Sequence, residues 1–341
     1  MPESEGFARR AILGPLLLVI LLVSFCPPWA ASSWAHPGGV DENGGHRSAS
    51  DGRYHFEKGP LAGHDYASRE DAIAALRAIG TRLSSTIRLA SFNIRILSDK
   101  SRTDQELGKI VAILRKYDVV AVQEVRDVKV LERIVGMLSK ATEVEWRFEA
   151  SPPVGRGVQE LYAFLYRIDR VLLKEGGRIV ADPKDRFIRE PFHATFRAGN
   201  FDFKLLTIHA LYKSKNAPER KQELDALSEV FLALLKDDPK EKDLLLLGDF
   251  NDDPSRSSFA SLIDIPDMQC LFALPTKTTI GDVSLYDNIC FKKSSILNFT
   301  GRSGVDRFDK EMFGGDLPSA ELAVSDHRPV WADFSTDTGG N

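Results

Sequence analysis

Apolar residues recur along this chain in two rhythms. Seven short runs, at 87–94, 118–122, 161–166, 203–208, 244–247, 286–291 and 330–334, are β-branched, aromatic or leucine-rich, and the first alternates apolar with polar positions. Stretches at about 104–116, 127–140 and 218–236 repeat their apolar residues at helical spacing instead. The 244–247 run is leucine throughout, which predicts a strand covered on both faces of its sheet. Strands of this kind interspersed with amphipathic helices predict an α/β fold. Its form is a four-layer αββα sandwich, two packed mixed β-sheets flanked by helices. A further helix is expected from Ser68, a candidate cap. Glu70 and Asp71 follow it, Ile73, Ala74, Leu76 and Ile79 give the apolar spacing, and Gly80 is a plausible stop.

The N-terminal 85 residues divide differently. Arg9 and Arg10 precede an apolar run from Ala11 to Phe25, followed by Pro27, Pro28 and small residues. That run is shorter than the roughly 20 residues a membrane span needs. Residues 1–35 therefore read as a signal peptide cleaved after Ala35, directing the chain to the periplasm or the medium. The alternative is a membrane anchor at 11–31, extended by Trp29, Ala30 and Ala31. Both a general secretory signal and a twin-arginine signal fit Arg9-Arg10. Residues 36–67 carry many Gly, Ser and His and no periodicity, and read as a flexible linker. His36, His46, His55 and His64 are spaced too irregularly there to point to a metal-binding tail. The expected layout continues with a leading helix at 68–85, a catalytic domain at 86–335 and a polar tail at 336–341.

Composition adds exclusions. Of 341 residues, 43% are hydrophobic and 28% charged, which removes collagen-like, wholly disordered and multi-span membrane classes. A net charge of −4 argues against a protein that coats nucleic acid nonspecifically. Glu3 and Glu5 balance Arg9 and Arg10, so loss of residues 1–35 leaves that charge unchanged. Three cysteines exclude a disulfide scaffold, although Cys270 and Cys290 are free to pair in an exported domain.

The predicted strands share one feature: most run into, or follow, a carboxylate, amide or imidazole. The residues delivered are Asn93, Glu124, Glu160, His209, Asp249 with Asn251, Asp287, and Asp326 with His327. Singly, each is a commonplace cap, turn former or structural histidine. Together they suit one chemistry. Glu124, Asp249, Asp326 and the two asparagines are hard oxygen donors of the kind Mg²⁺ or Mn²⁺ prefers, and two histidines supply acid and base. Zinc-type Cys/His spacing, a phosphate-cradling glycine loop, a serine elbow and a plausible cysteine nucleophile are all missing from the sequence. An oxygen-bound divalent metal with two histidines fits hydrolysis of a phosphate ester.

The segments Ser91-Phe92-Asn93-Ile94-Arg95, Gln123-Glu124-Val125-Arg126-Asp127, Thr207-Ile208-His209, Gly248-Asp249-Phe250-Asn251 and Ser325-Asp326-His327-Arg328-Pro329-Val330 occur in an order and spacing that resembles the endonuclease/exonuclease/phosphatase superfamily. The resemblance covers about 86–335 and is strongest to the deoxyribonuclease I group. Glu160-Leu161-Tyr162, His209 and Phe187-Ile188-Arg189-Glu190-Pro191 carry that finer likeness. It implies Glu124 as main metal ligand, with Asn93, Asp249 and Asp326 in support. It implies that Glu160 orients His209 and Asp287 orients His327, one histidine activating water and the other protonating the leaving oxygen. Asn251 would bind the scissile phosphate, and Arg126 and Arg189 would contact DNA.

The implied ion is Mg²⁺, with Mn²⁺ as a substitute and Ca²⁺ as a structural or co-activating ion. The implied partner is DNA, with RNA as an alternative, acted on by a monomer without a stable protein partner. Two departures stand out. Val158 replaces a groove-stacking tyrosine, and the run ending in Asp253-Pro254 replaces a cysteine of the family's disulfide. A lipid or small-ester phosphodiesterase or phosphatase of the same superfamily, and a binding protein that has lost catalysis, are the competing expectations.

Overall fold

The computed structural model describes residues 40–41, 43–57, 61, 63–82, 85–212, 217–237 and 242–337. The signal peptide or anchor expected at 1–35 lies outside the described residues, as do 36–39 and 338–341. No helix among the described residues is long and apolar enough to cross a membrane.

Three short strands, β1 (Gly45–Arg47), β2 (Tyr54–Phe56) and β3 (Asp65–Tyr66), form an antiparallel meander, and helix α1 (Arg69–Arg82) follows. Tyr54, Phe56, Leu61 and Ala72 bury a small core of their own. The linker expected at 36–67 is thus corrected: its described part is folded. Strands of two or three residues are too short to display alternation, which is why the pattern read as loop. His46 and His55 face each other across β1 and β2, and Asp65 on β3 pairs with His55.

The remaining chain alternates strands and helices. It runs through β4 (Thr86–Leu97), α2 (Asp104–Leu114), β5 (Val119–Val125), α3 (Val128–Thr142), β6 (Trp146–Ala150), β7 (Leu161–Arg167), β8 (Leu172–Ile179), β9 (Phe192–Ala198) and β10 (Phe201–His209). Then come α4 (Pro218–Asp237), β11 (Leu244–Asp249), α5 (Ala260–Ile263), β12 (Met268–Cys270), β13 (Asp287–Lys292), β14 (Phe299–Val305), α6 (Phe308–Glu311), α7 (Leu317–Ala323) and β15 (Val330–Ser335). Two six-stranded mixed sheets result, ordered β14-β15-β4-β5-β7-β6 and β12-β13-β11-β10-β9-β8. In each, the central pair is parallel (β4 with β5, β10 with β11) and the flanking strands are antiparallel.

Side-chain alternation builds the layers. Ile87, Leu89, Val119, Ala121 and Phe164 of one sheet meet Phe203, Leu205, Leu245, Leu247 and Ile289 of the other in the central core. The alternate residues Ala90, Phe92, Val120 and Val122 point outward onto Leu107, Ile110, Leu131 and Ile134 of α2 and α3. Leu206, Ile208, Leu244 and Leu246 pack outward onto Leu224, Leu227 and Phe231 of α4. The fold is therefore the αββα sandwich, and the wholly apolar leucine run of β11 is explained by cover on both faces. Cys270 and Cys290 stand opposite each other across β12 and β13 and form a disulfide.

Candidate active site

The parallel central pairs give the site its position. β4 and β5 run side by side, so Asn93 and Glu124 emerge at the same rim; β10 and β11 run side by side, so His209 pairs in register with Asp249. Asp287 opens β13 directly opposite Asp249, and His327 precedes β15. Backbone irregularity sharpens the aim. Pairing of β5 with β7 shifts register between Val122 and Val125, and Glu124 within that gap adopts a φ of 62°. A bulge of this kind re-aims a side chain at the end of a strand. Gly248 carries a φ of 147°, and a Cβ there would lie 2.1 Å from the Ile208 carbonyl oxygen. Only glycine lets β11 lie this close to β10 immediately before Asp249.

Asp249 is the hub. Its Oδ2 accepts from Asn93 Nδ2 at 3.0 Å, and its Oδ1 accepts from the Asn251 backbone N–H at 2.9 Å. His209 Nε2 lies 3.6 Å and His327 Nε2 3.7 Å from that same Oδ2. Each imidazole is backed by a buried carboxylate: His209 Nδ1 by Glu160 Oε1 at 2.7 Å, His327 Nδ1 by Asp287 Oδ2 at 2.9 Å. Nδ1 bound to a carboxylate carries the proton, which leaves Nε2 of each ring free to accept or donate toward the shared space.

Charge follows this layout. Burial alone would depress both imidazole pKa values. For His209, Glu160 and Asp249 outweigh it and raise the pKa; for His327, Asp287 and Asp249 raise it well above the ordinary value. Burial pushes Asp249 up, but His327, His209 and the Asn93 and Asn251 hydrogen bonds bring it below the usual range. Burial raises Asp287.

The donor set suits a hard cation. Asn93 Nδ2 bridges Glu124 Oε1 at 3.2 Å and Asp249 Oδ2, holding two carboxylates around one amide. Its own Oδ1 is buried without a hydrogen-bond partner. A polar atom left bare in a buried pocket is costly, unless a ligand outside the chain satisfies it. Ligand atoms of Asp249, Asp287 and His327 also lie within 4.8 Å of one another. Asp326 is less closely joined. It is half-buried, with Ser325 Oγ 3.5 Å from its Oδ1, and among the described residues no hydrogen bond links it to Glu124, Asn93 or Asp249.

The two arginines lie against the site. Arg189 Nε is 3.2 Å from Glu160 Oε1, and its Nη1 donates to the His209 carbonyl at 3.1 Å. Arg126 Nη2 donates to Glu124 Oε2 at 3.4 Å and Nη1 to the Gln159 carbonyl at 3.1 Å. Asn251 Nδ2 donates to the Ala210 carbonyl at 2.9 Å. Val158, two residues before Glu160, is 73% exposed.

Several supporting residues had no role in the sequence reading. Tyr162 Oη accepts from the His209 backbone N–H at 2.9 Å. Thr278 Oγ1 accepts from the Tyr286 and Asp287 backbone N–H groups. Ser325 Oγ donates to the Asn93 carbonyl at 2.7 Å and accepts from His327 N–H at 3.1 Å, tying β4 to the His327 turn. Buried Glu223 on α4 accepts from Ile188 N–H at 2.9 Å and Leu211 N–H at 2.6 Å, fixing the segments around Arg189 and His209. Tyr162 and Ser325 sit inside the quoted motifs, so their positions were visible; Thr278 and Glu223 lie in unrelated stretches and are recruited only by the fold.

Two carboxylate–imidazole pairs facing one metal-type donor set define a phosphoesterase-like centre, and the chain belongs to the Endonuclease/Exonuclease/phosphatase family, whose pattern matches residues 90–327. Among relatives, it is similar to Deoxyribonuclease-1-like 2 of Mus musculus, 31% identical over 284 residues, which span 77% of this chain and 97% of the relative. It is also similar to a Deoxyribonuclease of Thioalkalivibrio, 31% identical over 278 residues, 78% of this chain and 76% of the relative. The human Nocturnin catalytic domain shares the fold with a TM-score of 0.55 at 16% identity, covering 74% of this chain and 93% of that domain.

Proposed function

We propose that the chain is an exported, divalent-metal-dependent phosphodiester hydrolase that cuts DNA as an endonuclease. The observation that carries this reading is the convergence of His209 Nε2 and His327 Nε2 on Asp249 Oδ2. The two nitrogens lie within the sum of those two short distances of each other. Hydrolysis of a phosphodiester needs a proton taken from water on one side of phosphorus and a proton given to the leaving oxygen on the other. Two imidazoles, each oriented by its own buried carboxylate, meet that need in either direction. The relatives named deoxyribonuclease support DNA as the substrate.

Glu124, Asn93 and Asp249, with Asp326 alongside, would hold a Mg²⁺ or Mn²⁺ ion, which supplies neutralisation of charge on a non-bridging phosphate oxygen. Asn251 would donate to the phosphate; its backbone N–H is bonded to Asp249 Oδ1 and its amide to the Ala210 carbonyl. Arg126 and Arg189 balance the charge of Glu124 and Glu160 and present guanidinium edges to a phosphate backbone. Where Val158 replaces a stacking tyrosine, Tyr212 offers another ring. It is 68% exposed and packs edge-on against Tyr286, which lies 6.2 Å from the His327 ring. Export is supported by the 1–35 sequence and by the Cys270–Cys290 disulfide, a bond that persists in oxidising compartments.

The test is a panel of double-stranded DNA, single-stranded DNA, RNA and sphingomyelin offered to the mature chain with Mg²⁺ or with EDTA. Metal-dependent nicking of double-stranded DNA is expected. Release of phosphocholine with DNA left intact would replace this reading by the lipid phosphodiesterase one.

A further inference from the structure

A second cluster of charge lies at the other end of the first sheet. A cavity of about 240 Å³ is lined by Arg88, Arg115, Lys116, Arg167, Arg170 and Arg302. The acids in its wall are Asp118 and Asp333. Six cations line it, and five acids engage them, Asp118 and Asp333 in the wall with Asp169, Asp306 and Glu311 beside it, so the positive excess is concentrated on the outer edge of the concavity. Topology separates it from the catalytic rim. Arg88 lies near the start of β4, whereas Asn93 lies five residues on, about 17 Å at roughly 3.3 Å per residue. Asp118 precedes β5, and Arg167 ends the antiparallel β7, so these groups share the rim opposite Glu124.

The inner cations are held in place. Arg88 forms a two-point pair with Asp333 at 2.7 and 3.0 Å and stacks on Trp331 with 3.8 Å from guanidinium carbon to ring centre. Arg167 pairs with Asp169 at 2.8 and 2.9 Å, and Arg170 with Asp118 at 3.0 Å. Lys116 reaches Asp306 and Glu311, both at 2.9 Å. The outer pair is under-neutralised. Arg302 is exposed and its nearest acid, Asp333, is 3.5 Å away and already engaged by Arg88. Arg115 is exposed and pairs with no acid among the described residues. Five arginines with one lysine favour the forked, planar recognition of phosphate oxygens.

We infer that this cavity is a second phosphate-binding site, which takes a backbone phosphate of a nucleic-acid segment other than the one being cut. The inference rests on the nuclease reading for its ligand but uses none of the catalytic residues. Because the two sites occupy opposite rims, a short duplex would engage one or the other, and a long or folded DNA both at once. The enzyme would then stay tethered to its polymer between cuts.

The experiment titrates a 12-base-pair duplex into the full mature chain in EDTA, with the variant Arg115→Glu/Arg302→Glu alongside. Nicking of the same duplex with Mg²⁺ is measured in parallel. The wild type is expected to bind two duplexes per chain at low salt. The variant should bind one and nick the short duplex at the wild-type rate. On long DNA the slope of log affinity against log salt should flatten by about 1–2 in the variant. Arg115→Lys/Arg302→Lys should keep the second event. Nicking by the wild type with a single binding event, or a second event that survives the glutamate variant, overturns this inference alone. Absence of nicking overturns the nuclease reading, while the titration still reports the second site.

Discussion

Replacing Glu160 by Gln keeps shape and removes one buried charge. Glu160 is 1% exposed, and its Oε1 accepts from His209 Nδ1 at 2.7 Å. A hydrogen bond to an ionised group contributes about 1.5–3 kcal/mol, and each 1.36 kcal/mol is tenfold in rate. Loss of that bond in the protonated state of His209 therefore costs about 10–150-fold. Glutamine adds a second effect. If its NH₂ turns to Nδ1, the proton moves to Nε2 and the ring presents the wrong tautomer to the reaction. Arg189, 3.2 Å from the same carboxylate, then faces the imidazole without a balancing charge. The expected total loss in turnover is about 10²–10⁴-fold, the range general acid–base catalysis supplies. The assay is initial-rate nicking of supercoiled plasmid across pH, with a thermal melt to confirm folding. Glu160 and Asp249 raise the His209 pKa, so removing Glu160 must lower it, and the limb of the pH profile belonging to His209 should move to lower pH whether it acts as acid or base. A folded Glu160→Gln protein with a rate within threefold of wild type and an unmoved profile would refute the reasoning.

Other consequences follow from the same geometry. Glu223→Gln should lower unfolding stability by about 2 kcal/mol, since its amide can replace only one of the two accepted backbone bonds, and should raise KM through the Arg189 segment; urea titration and steady-state kinetics check both. Burial, aided by Lys204 and Arg178 and opposed by Glu175, lowers the His193 pKa from 6.5 to about 4, so the unfolded chain takes up this proton first as pH falls. Stability should therefore decline between about pH 6.5 and 4, by about 1–2 kcal/mol after screening of a part-exposed group, and His193→Gln should remove that slope in denaturation measured across pH. Reducing the Cys270–Cys290 bond, whose cysteines are 20 residues apart, should cost about 3 kcal/mol by loop entropy, seen as a lower melting temperature that a double serine variant no longer shows on adding reductant.

How much of this was legible depends on where a strand sits. The interior strands β4, β5, β7, β10, β11, β13 and β15 were all visible as apolar runs, because cover on one or both faces imposes apolar side chains. The strands β6, β8, β12 and β14 went unread, and these are the edge strands of the two six-stranded sheets. Edge strands such as β8, with Lys174, Glu175, Gly176 and Gly177, carry charge and glycine that hide their period. The exception is β9, an interior strand beside the Arg189 segment. The polar strand ends that carry the candidate chemistry were legible one by one. Their convergence on Asp249 Oδ2 was not, since it depends on two parallel pairs of strands meeting across the core. The N-terminal meander escaped for a simpler reason: among the described residues its buried core is four side chains, too few to impose a rhythm.

The central claim is that His209 and His327 carry the proton transfers of a metal-dependent phosphodiester cleavage. The most direct measurement is the single-turnover nicking rate of supercoiled plasmid by wild type, His209→Ala and His327→Ala, each with Mg²⁺ and with EDTA. Each substitution should lower the Mg²⁺-dependent rate by about 10² or more, and EDTA should abolish nicking by all three. Folded variants that both nick at the wild-type rate, or nicking that is indifferent to EDTA, would contradict the claim.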